Sequence, residues 1–173
     1  MSTKILQHAI DLMYANFLED DIDFVGPLSI QTIDSAEKIL EVKFPESYKA
    51  FLLILGCGNF SYKEFNGLVR DEIFSNTNLG AAGSLNIVWH QLKNRAEYNL
   101  PLQIIQIYHL GDGSYYALDL SQMNAEGECP VVYWPLDGYE ATPKLEIVAK
   151  DFGEFFLNMV LEEIKNQKRK DGA

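Results

Sequence analysis

Residues 102–120, LQIIQIYHLGDGSYYALDL, hold two strands and the turn between them. Residues 102–110 are apolar and rich in β-branched side chains. Gly111-Asp112-Gly113-Ser114 supplies residues that reverse a chain, and residues 115–120 return as a hairpin partner. The pair Gly111-x-Gly113 joins two strands, whereas a phosphate cradle opens a helix, so it is a backbone device rather than a nucleotide site. Further on, Val131, Val132, Tyr133 and Trp134, entered through Pro130, make a third strand. Leu145, Ile147 and Val148 make a fourth. Asp151 with Glu154 three residues later is a capping box for a last helix, whose apolar face is Phe152, Phe155, Phe156, Met159, Val160 and Ile164.

Upstream the period changes from two to near four. Leu6, Ile10, Met13 and Phe17 repeat at helical spacing across residues 3–17. The acidic run Glu19, Asp20, Asp21, Asp23 reads as a solvated loop. Ser29 caps a helix over 30–41 with Ile33, Ala36, Ile39 and Leu40 inward. Pro45 suits the first turn of the next helix, which buries Tyr48, Phe51, Leu52 and Leu55 and stops at Gly56. Phe60, Tyr62, Phe65, Leu68 and Val69 predict two short strands about a turn or bulge at Asn66-Gly67. Residues 75–83 read as loop. A helix follows over 84–97, with Ser84 as cap and Ile87, Val88, Leu92 and Ala96 inward.

Helices, then an antiparallel meander, then a helix give an α+β fold: a single domain over residues 1–173 with a mainly antiparallel central sheet and flanking helices. The expected interior includes Phe51, Leu52, Leu118, Val132, Phe152 and Phe155. The basic run 165–171 reads as a frayed helix end, where cations favour the dipole.

The chain has 173 residues, 47% hydrophobic, with 14 basic against 25 acidic side chains and a net charge of −11. Residues 1–164 alone carry 10 basic and 24 acidic side chains. That balance opposes direct nucleic-acid binding and docking on anionic membranes. Neither a signal peptide nor a membrane-length apolar run is read, and Cys57 and Cys129 are too few for a disulfide framework, so the expectation is a cytoplasmic protein. Catalysis finds little support. Cys57 follows a helix C-terminus, which disfavours a thiolate, and Cys129 precedes Pro130. His8, His90 and His109 fall on unlike elements. There is no His-x-x-x-His, Cys-x-x-Cys or calcium-loop pattern, so no metal or cofactor is expected.

Three ordered segments resemble the SUKH superfamily, the Smi/Knr-like proteins. The first runs Ile33-x-x-Ala36-Glu37-x-x-Leu40, Phe44-Pro45-x-x-Tyr48-Lys49-x-Phe51-Leu52 and Gly56-Cys57-Gly58. The second is Gly113-Ser114-Tyr115-Tyr116-Ala117-Leu118-Asp119. The third is Gly127-Glu128-Cys129-Pro130-Val131-Val132-Tyr133-Trp134, followed by residues 149–156. Phe44 stands where the family carries Leu, and residues 70–100 match no motif. The resemblance implies an α+β scaffold and, for bacterial members, a non-enzymatic immunity protein that occludes the active site of a cognate toxin, a basic nuclease among the candidates. The alternative is an interaction adaptor of the cell-wall-regulator kind. Matched residues read as structural are Glu37, Pro45, Tyr48, Phe51, Gly56, Gly113, Asp119, Pro130 and Phe155, with partner contact as the other reading of Glu37. Candidates for partner contact, by their acidic or aromatic character near the hairpin turn and third strand, are Asp112, Tyr115, Glu126, Glu128, Asp137, Tyr139 and Glu140.

Overall fold

Four of the five α-helices among the described residues start where a side-chain oxygen accepts a free N–H group of the first turn. The computed structural model describes residues 1–69, 85–135 and 145–171. Helix α1 (Ser2–Asn16) buries Leu6, Ala9, Ile10 and Met13. Helix α2 (Ile30–Leu40) is capped by the Ser29 hydroxyl, which accepts from Thr32 N–H at 3.2 Å. Helix α3 (Glu46–Ile54) follows Pro45, which stands at the N-cap itself and has no side chain to cap with. Helix α4 (Ile87–Tyr98) is capped by Asn86, which accepts from Val88 N–H at 3.0 Å. Ahead of helix α5 (Phe152–Asp171), Asp151 accepts from Glu154 N–H at 2.9 Å, and Glu154 reaches back to Lys150 N–H at 2.7 Å. The basic run through Lys170 lies in the last turns of α5.

Two antiparallel sheets lie between these helices. Strands β1 (Ile22–Phe24), β2 (Gly58–Phe60) and β3 (Lys63–Phe65) pair in that order. Strands β4 (Ile104–His109), β5 (Tyr115–Asp119), β6 (Val131–Trp134) and β7 (Glu146–Ala149) form a meander. Asn66 N–H donates to Ile107 O at 2.8 Å and ties the end of β3 to β4. The fold is α+β, as the sequence predicts, with its strands divided between two sheets rather than gathered in one.

One face of the meander carries the cross-strand row Ile105, Leu118, Val131, Ala149 into the main core. The opposite face carries Ala117 and Val132, which cluster with Leu100, Ile104 and Trp134. All six residues expected inside are at most 2% exposed. Phe51 sits among rings from four elements: Phe24, Tyr48, Phe65, Phe152 and Phe156, with centroids 5.0–6.2 Å away.

Three local expectations are corrected. The β2–β3 turn is Ser61 and Tyr62, not Asn66-Gly67. Gly67 serves a close approach instead: a Cβ there would lie 1.9 Å from Gly56 O. On α2, Ile39 is 43% exposed. On α4, Leu92 and Ala96 point outward, while Gln91 and Asn94 are buried. The reason is Gln106 on β4, which is fully buried and needs amide partners. Asn94 Nδ2 donates to Gln106 Oε1 at 2.6 Å. The Gln91 amide, turned to satisfy both ends, donates to Ile104 O at 2.9 Å and accepts from Gln106 N–H at 2.8 Å. The expected cap Ser84 lies outside the described residues. Arg95 ends the arrangement by donating to Leu40 O at 2.8 Å, a cation at the C-terminus of α2. Among the described residues, no helix is long and apolar enough to cross a membrane.

Truncating Phe51 to Ala removes a ring that five others touch. It is expected to cost about 3–5 kcal/mol, a large part of a typical net stability of ~5–15 kcal/mol. A urea midpoint equal to that of the wild type would show that the cluster does not hold the fold.

Candidate functional site

The residues singled out in the sequence fall into several unlike places. Glu37 is 2% exposed, and its carboxylate accepts from Phe44 N–H at 2.8 Å and Lys43 Nζ at 2.6 Å, with Lys49 Nζ 3.5 Å away. It holds the turn between α2 and α3. Tyr48 is fully buried and donates its hydroxyl to Asn66 O at 2.8 Å. Gly56, at φ +76°, stops α3, with its N–H shared by Phe51 O and Leu52 O. Gly113 lies in the β4–β5 turn, and Pro130 O accepts from Asp119 N–H at 3.1 Å. The Asp119 carboxylate caps the short 3₁₀ turn Leu120–Gln122, accepting from Ser121 and Gln122.

The four expected partner contacts among the described residues fall near opposite ends of β5. Asp112 is exposed in the hairpin turn and accepts from Ser114 N–H at 2.9 Å. The Ser114 hydroxyl and N–H hold its carboxyl below the usual range. Tyr115 is half-buried against His109, ring centroids 4.7 Å apart. Glu126 and Glu128 lie beyond the other end of β5, about 14 Å away at ~3.4 Å per residue. Glu126 is exposed on the rim of a shallow cleft of about 210 Å³, where the starts of α1 and α5 meet the loop 124–128. Asp137, Tyr139 and Glu140 lie outside the described residues.

Glu128 faces inward. It is only 4% exposed and accepts from Ser47 N–H at 3.0 Å and Ser47 Oγ at 2.6 Å, while Gly127 O accepts from Glu46 N–H at 3.0 Å. The loop thus caps α3 from 81 residues away, in place of the side chain Pro45 lacks. Its carboxylate is engaged inside the molecule, at the floor of the cleft that Glu126 rims.

A different surface is assembled by strand register. Tyr108 pairs with Tyr116, Tyr116 with Tyr133 and Tyr133 with Glu146, so one row crosses all four strands of the meander on the face that α5 covers. Directly opposed side chains share a face. The three tyrosines are half-buried and Glu146 is exposed. Tyr108 and Tyr116 lean on Phe155, with centroids 6.4 and 5.4 Å away. Burial raises both phenols above their ordinary range, and the Glu162 carboxylate adds to it; Glu64 and Glu163 act further on Tyr108, and Glu146 on Tyr116. The β2–β3 turn abuts α5 two turns further on: Ser61 Oγ donates to Glu163 Oε1 at 3.0 Å, and Lys63 Nζ lies 3.4 Å from Glu162 Oε2. Between them Tyr62 is 95% exposed. None of Tyr62, Tyr108, Tyr116, Tyr133, Glu146 or Glu162 was visible as a group in the sequence, because only the pairing of distant strands collects them.

Chemistry of a nucleophile is poorly supplied. Burial pushes the Cys57 and Cys129 thiols up to about 12. Among the described residues no three His, Cys, Asp or Glu side chains converge on a possible metal position.

The element order, the two antiparallel sheets and the motif-bearing α2–α3 pair define an α+β scaffold of helices packed on a meander. This chain belongs to the SUKH family: the SUKH_6 model, described as SMI1-KNR4 cell-wall, matches residues 30–156. A solved structure described as the crystal structure of a protein from Pseudomonas syringae pv. tomato superimposes with a TM-score of 0.50. Its identity is 14%, and the match covers 75% of this chain and 83% of that one, a likeness of fold alone. No curated protein matches.

Two of the buried carboxylates, Glu37 and Glu128, titrate in opposite directions. Burial pushes Glu37 up, but the Lys43 and Phe44 hydrogen bonds and the Lys49 charge outweigh it, so its pKa is lowered. Its stabilisation is present above the unfolded-state value and is lost as pH falls through the folded one. Burial dominates at Glu128, with Asp151 and Glu46 adding to it against the Ser47 hydrogen bonds, so its pKa is raised. Its contribution is present below the unfolded-state value and is lost as pH rises through the folded one. Urea midpoints from about pH 3 to 7 should show wild type gaining on Glu37→Gln as pH rises, and losing ground to Glu128→Gln. Parallel curves for either pair would refute the assignment for that residue.

Proposed function

We propose that this chain is an immunity protein: a non-catalytic partner that binds a toxin domain in the cytoplasm and occludes its active site. The observation that carries the reading, beside family membership, is the tyrosine row bounded by Glu146 and Glu162 on a chain with a net charge of −11. Tyrosine gives contact area at low rotamer cost, and carboxylates complement the Lys and Arg that line clefts built for phosphate. A nuclease toxin offers such a cleft. The two high-pKa thiols fit a protein that works by contact and not by attack. The description of the matching family as SMI1-KNR4 cell-wall favours one other reading, an interaction adaptor with a cell-wall role.

Co-expression tests the proposal directly. The toxin domain encoded beside the gene for this chain should arrest growth alone, and this chain should restore it; killing unchanged by the chain would end the pairing. Kinetics give a second check. The Debye length falls from ~10 Å at 0.1 M salt to ~3 Å at 1 M, so the association rate should drop steeply while dissociation changes little. A flat association rate would remove electrostatic steering from the mechanism.

A further inference from the structure

We infer that Tyr62, at the tip of the β2–β3 turn, is the anchor of the docking face and enters a Lys/Arg-lined cleft of a folded protein partner, while Tyr108, Tyr116 and Tyr133 pack beneath its rim. The partner's identity rests on the immunity reading above; the role of Tyr62 rests on its backbone and its neighbours.

A single exposed tyrosine on a surface calls for no explanation. Tyr62 differs in three respects. The turn has two residues, Ser61 at φ +45° and Tyr62 at φ +68°, and such turns favour Asn-Gly because both positions lie in the left-handed region. A bulky aromatic is disfavoured there. Second, the ring is 95% exposed, so it receives no compensating burial within the chain. A residue held in a costly conformation without internal return points to a contact outside the molecule.

The third respect is how the turn is mounted. The residue before Tyr62 is held twice, Ser61 Oγ donating to Glu163 of α5 at 3.0 Å and Ser61 N–H to Asp21 O at 2.9 Å, so the ring projects from a fixed base and not from a loose loop. Fixing it in advance lowers the ordering cost of association. The hairpin that carries it meets the near end of the tyrosine row, Phe65 lying 5.3 Å from Tyr108, and the exposed carboxylates Glu64 and Glu162 lie at that end. Carboxylates pair with guanidinium and ammonium groups, and tyrosine faces accept the same cations, so both components select a basic cleft. The same charges repel a phosphate backbone, which sets aside a nucleic acid as occupant.

The test uses the full chain and a catalytically inactive form of the toxin domain encoded beside its gene, with affinity read by titration calorimetry and folding by thermal melts. Tyr62→Gly should bind at least about 10-fold more weakly, while melting at or above the wild-type temperature because glycine accepts the left-handed backbone. Tyr62→Phe should bind within about 3-fold of wild type, because the ring carries the contact. Tyr14→Ala, on the exposed side of α1, should bind as wild type does. Wild-type affinity in Tyr62→Gly would overturn the anchor and leave the immunity reading standing. A lowered melting temperature for Tyr62→Gly would give the ring a structural role and overturn the inference equally. Failure of the wild-type chain to bind would instead remove the immunity partner, and its basic cleft as the site that Tyr62 enters.

Discussion

The ring of Phe51 is where the layers of the molecule meet. It touches Phe24 of β1, Phe65 of β3 and Phe152 and Phe156 of α5, while Tyr48 stacks on it from the preceding turn of α3. A helix of nine residues has no stability of its own in water. Helix α3 therefore exists because its ring cluster is buried and because a remote loop answers its first N–H groups. Gly127 O and the Glu128 carboxylate come from the segment just before β6, so the helix and the meander complete one another. Placing Phe51 requires β1, β3 and α5 to be in position, and each of those is in turn located by contact with it.

What could be read from the residues depended on the range of the forces involved. Hydrophobic period, capping side chains and turn glycines act within a few residues, and they located α1, α2, α3, α5 and all four meander strands. The Ser29 cap and the Asp151–Glu154 pair are of this kind. Three of the readings that the structure revises share one feature, a partner distant in sequence. Leu92 looked internal by hydropathy, yet α4 turns Gln91 and Asn94 inward to answer Gln106 on β4. Glu128 looked like a surface acid in a polar loop, yet a helix start 81 residues earlier claims it. Asn66-Gly67 has the composition of a turn, but Gly67 is small so that Gly56 O can approach.

The tyrosine row shows the same limit more sharply. The β4–β5 register shifts between Gln106 and Tyr108, leaving Ile107 as an extra residue. In a regular ladder Tyr108 would oppose Tyr115 and face the other side of the sheet, since a slip of one residue exchanges the faces. The bulge brings it opposite Tyr116 instead. The backbone at this point is pinned by buried polar groups: Asn66 N–H donates to Ile107 O, and Asn66 Nδ2 donates to Gln106 O at 3.1 Å. Tyr48 bonds the carbonyl of the same Asn66, so the polar line begins inside the aromatic core. Satisfied buried networks of this sort favour one arrangement over near alternatives. The surface row is thus a consequence of interior hydrogen bonding that no local pattern reveals.

Helix α5 joins these two kinds of order along its length. Its first turns bury Phe152, Phe155 and Phe156, and its middle presents Glu162 and Glu163 to the β2–β3 turn. The two acids are not equivalent. Glu163 is 8% exposed and bound by Ser61, with Lys63 3.8 Å away, so its charge is largely spent within the molecule. Glu162 is 59% exposed at the side chain and only loosely paired with Lys63, so it keeps most of its field toward solvent. Exposed pairs of that kind contribute little to stability, on the order of 0–1 kcal/mol. The physical demands on neighbouring turns of one helix therefore separate: changing Phe155 disturbs the core beneath Tyr108 and Tyr116, whereas changing Glu162 alters the potential above them. A surface built this way can change its charge pattern while the rings below keep its geometry, which is what a scaffold that must recognise a particular partner requires.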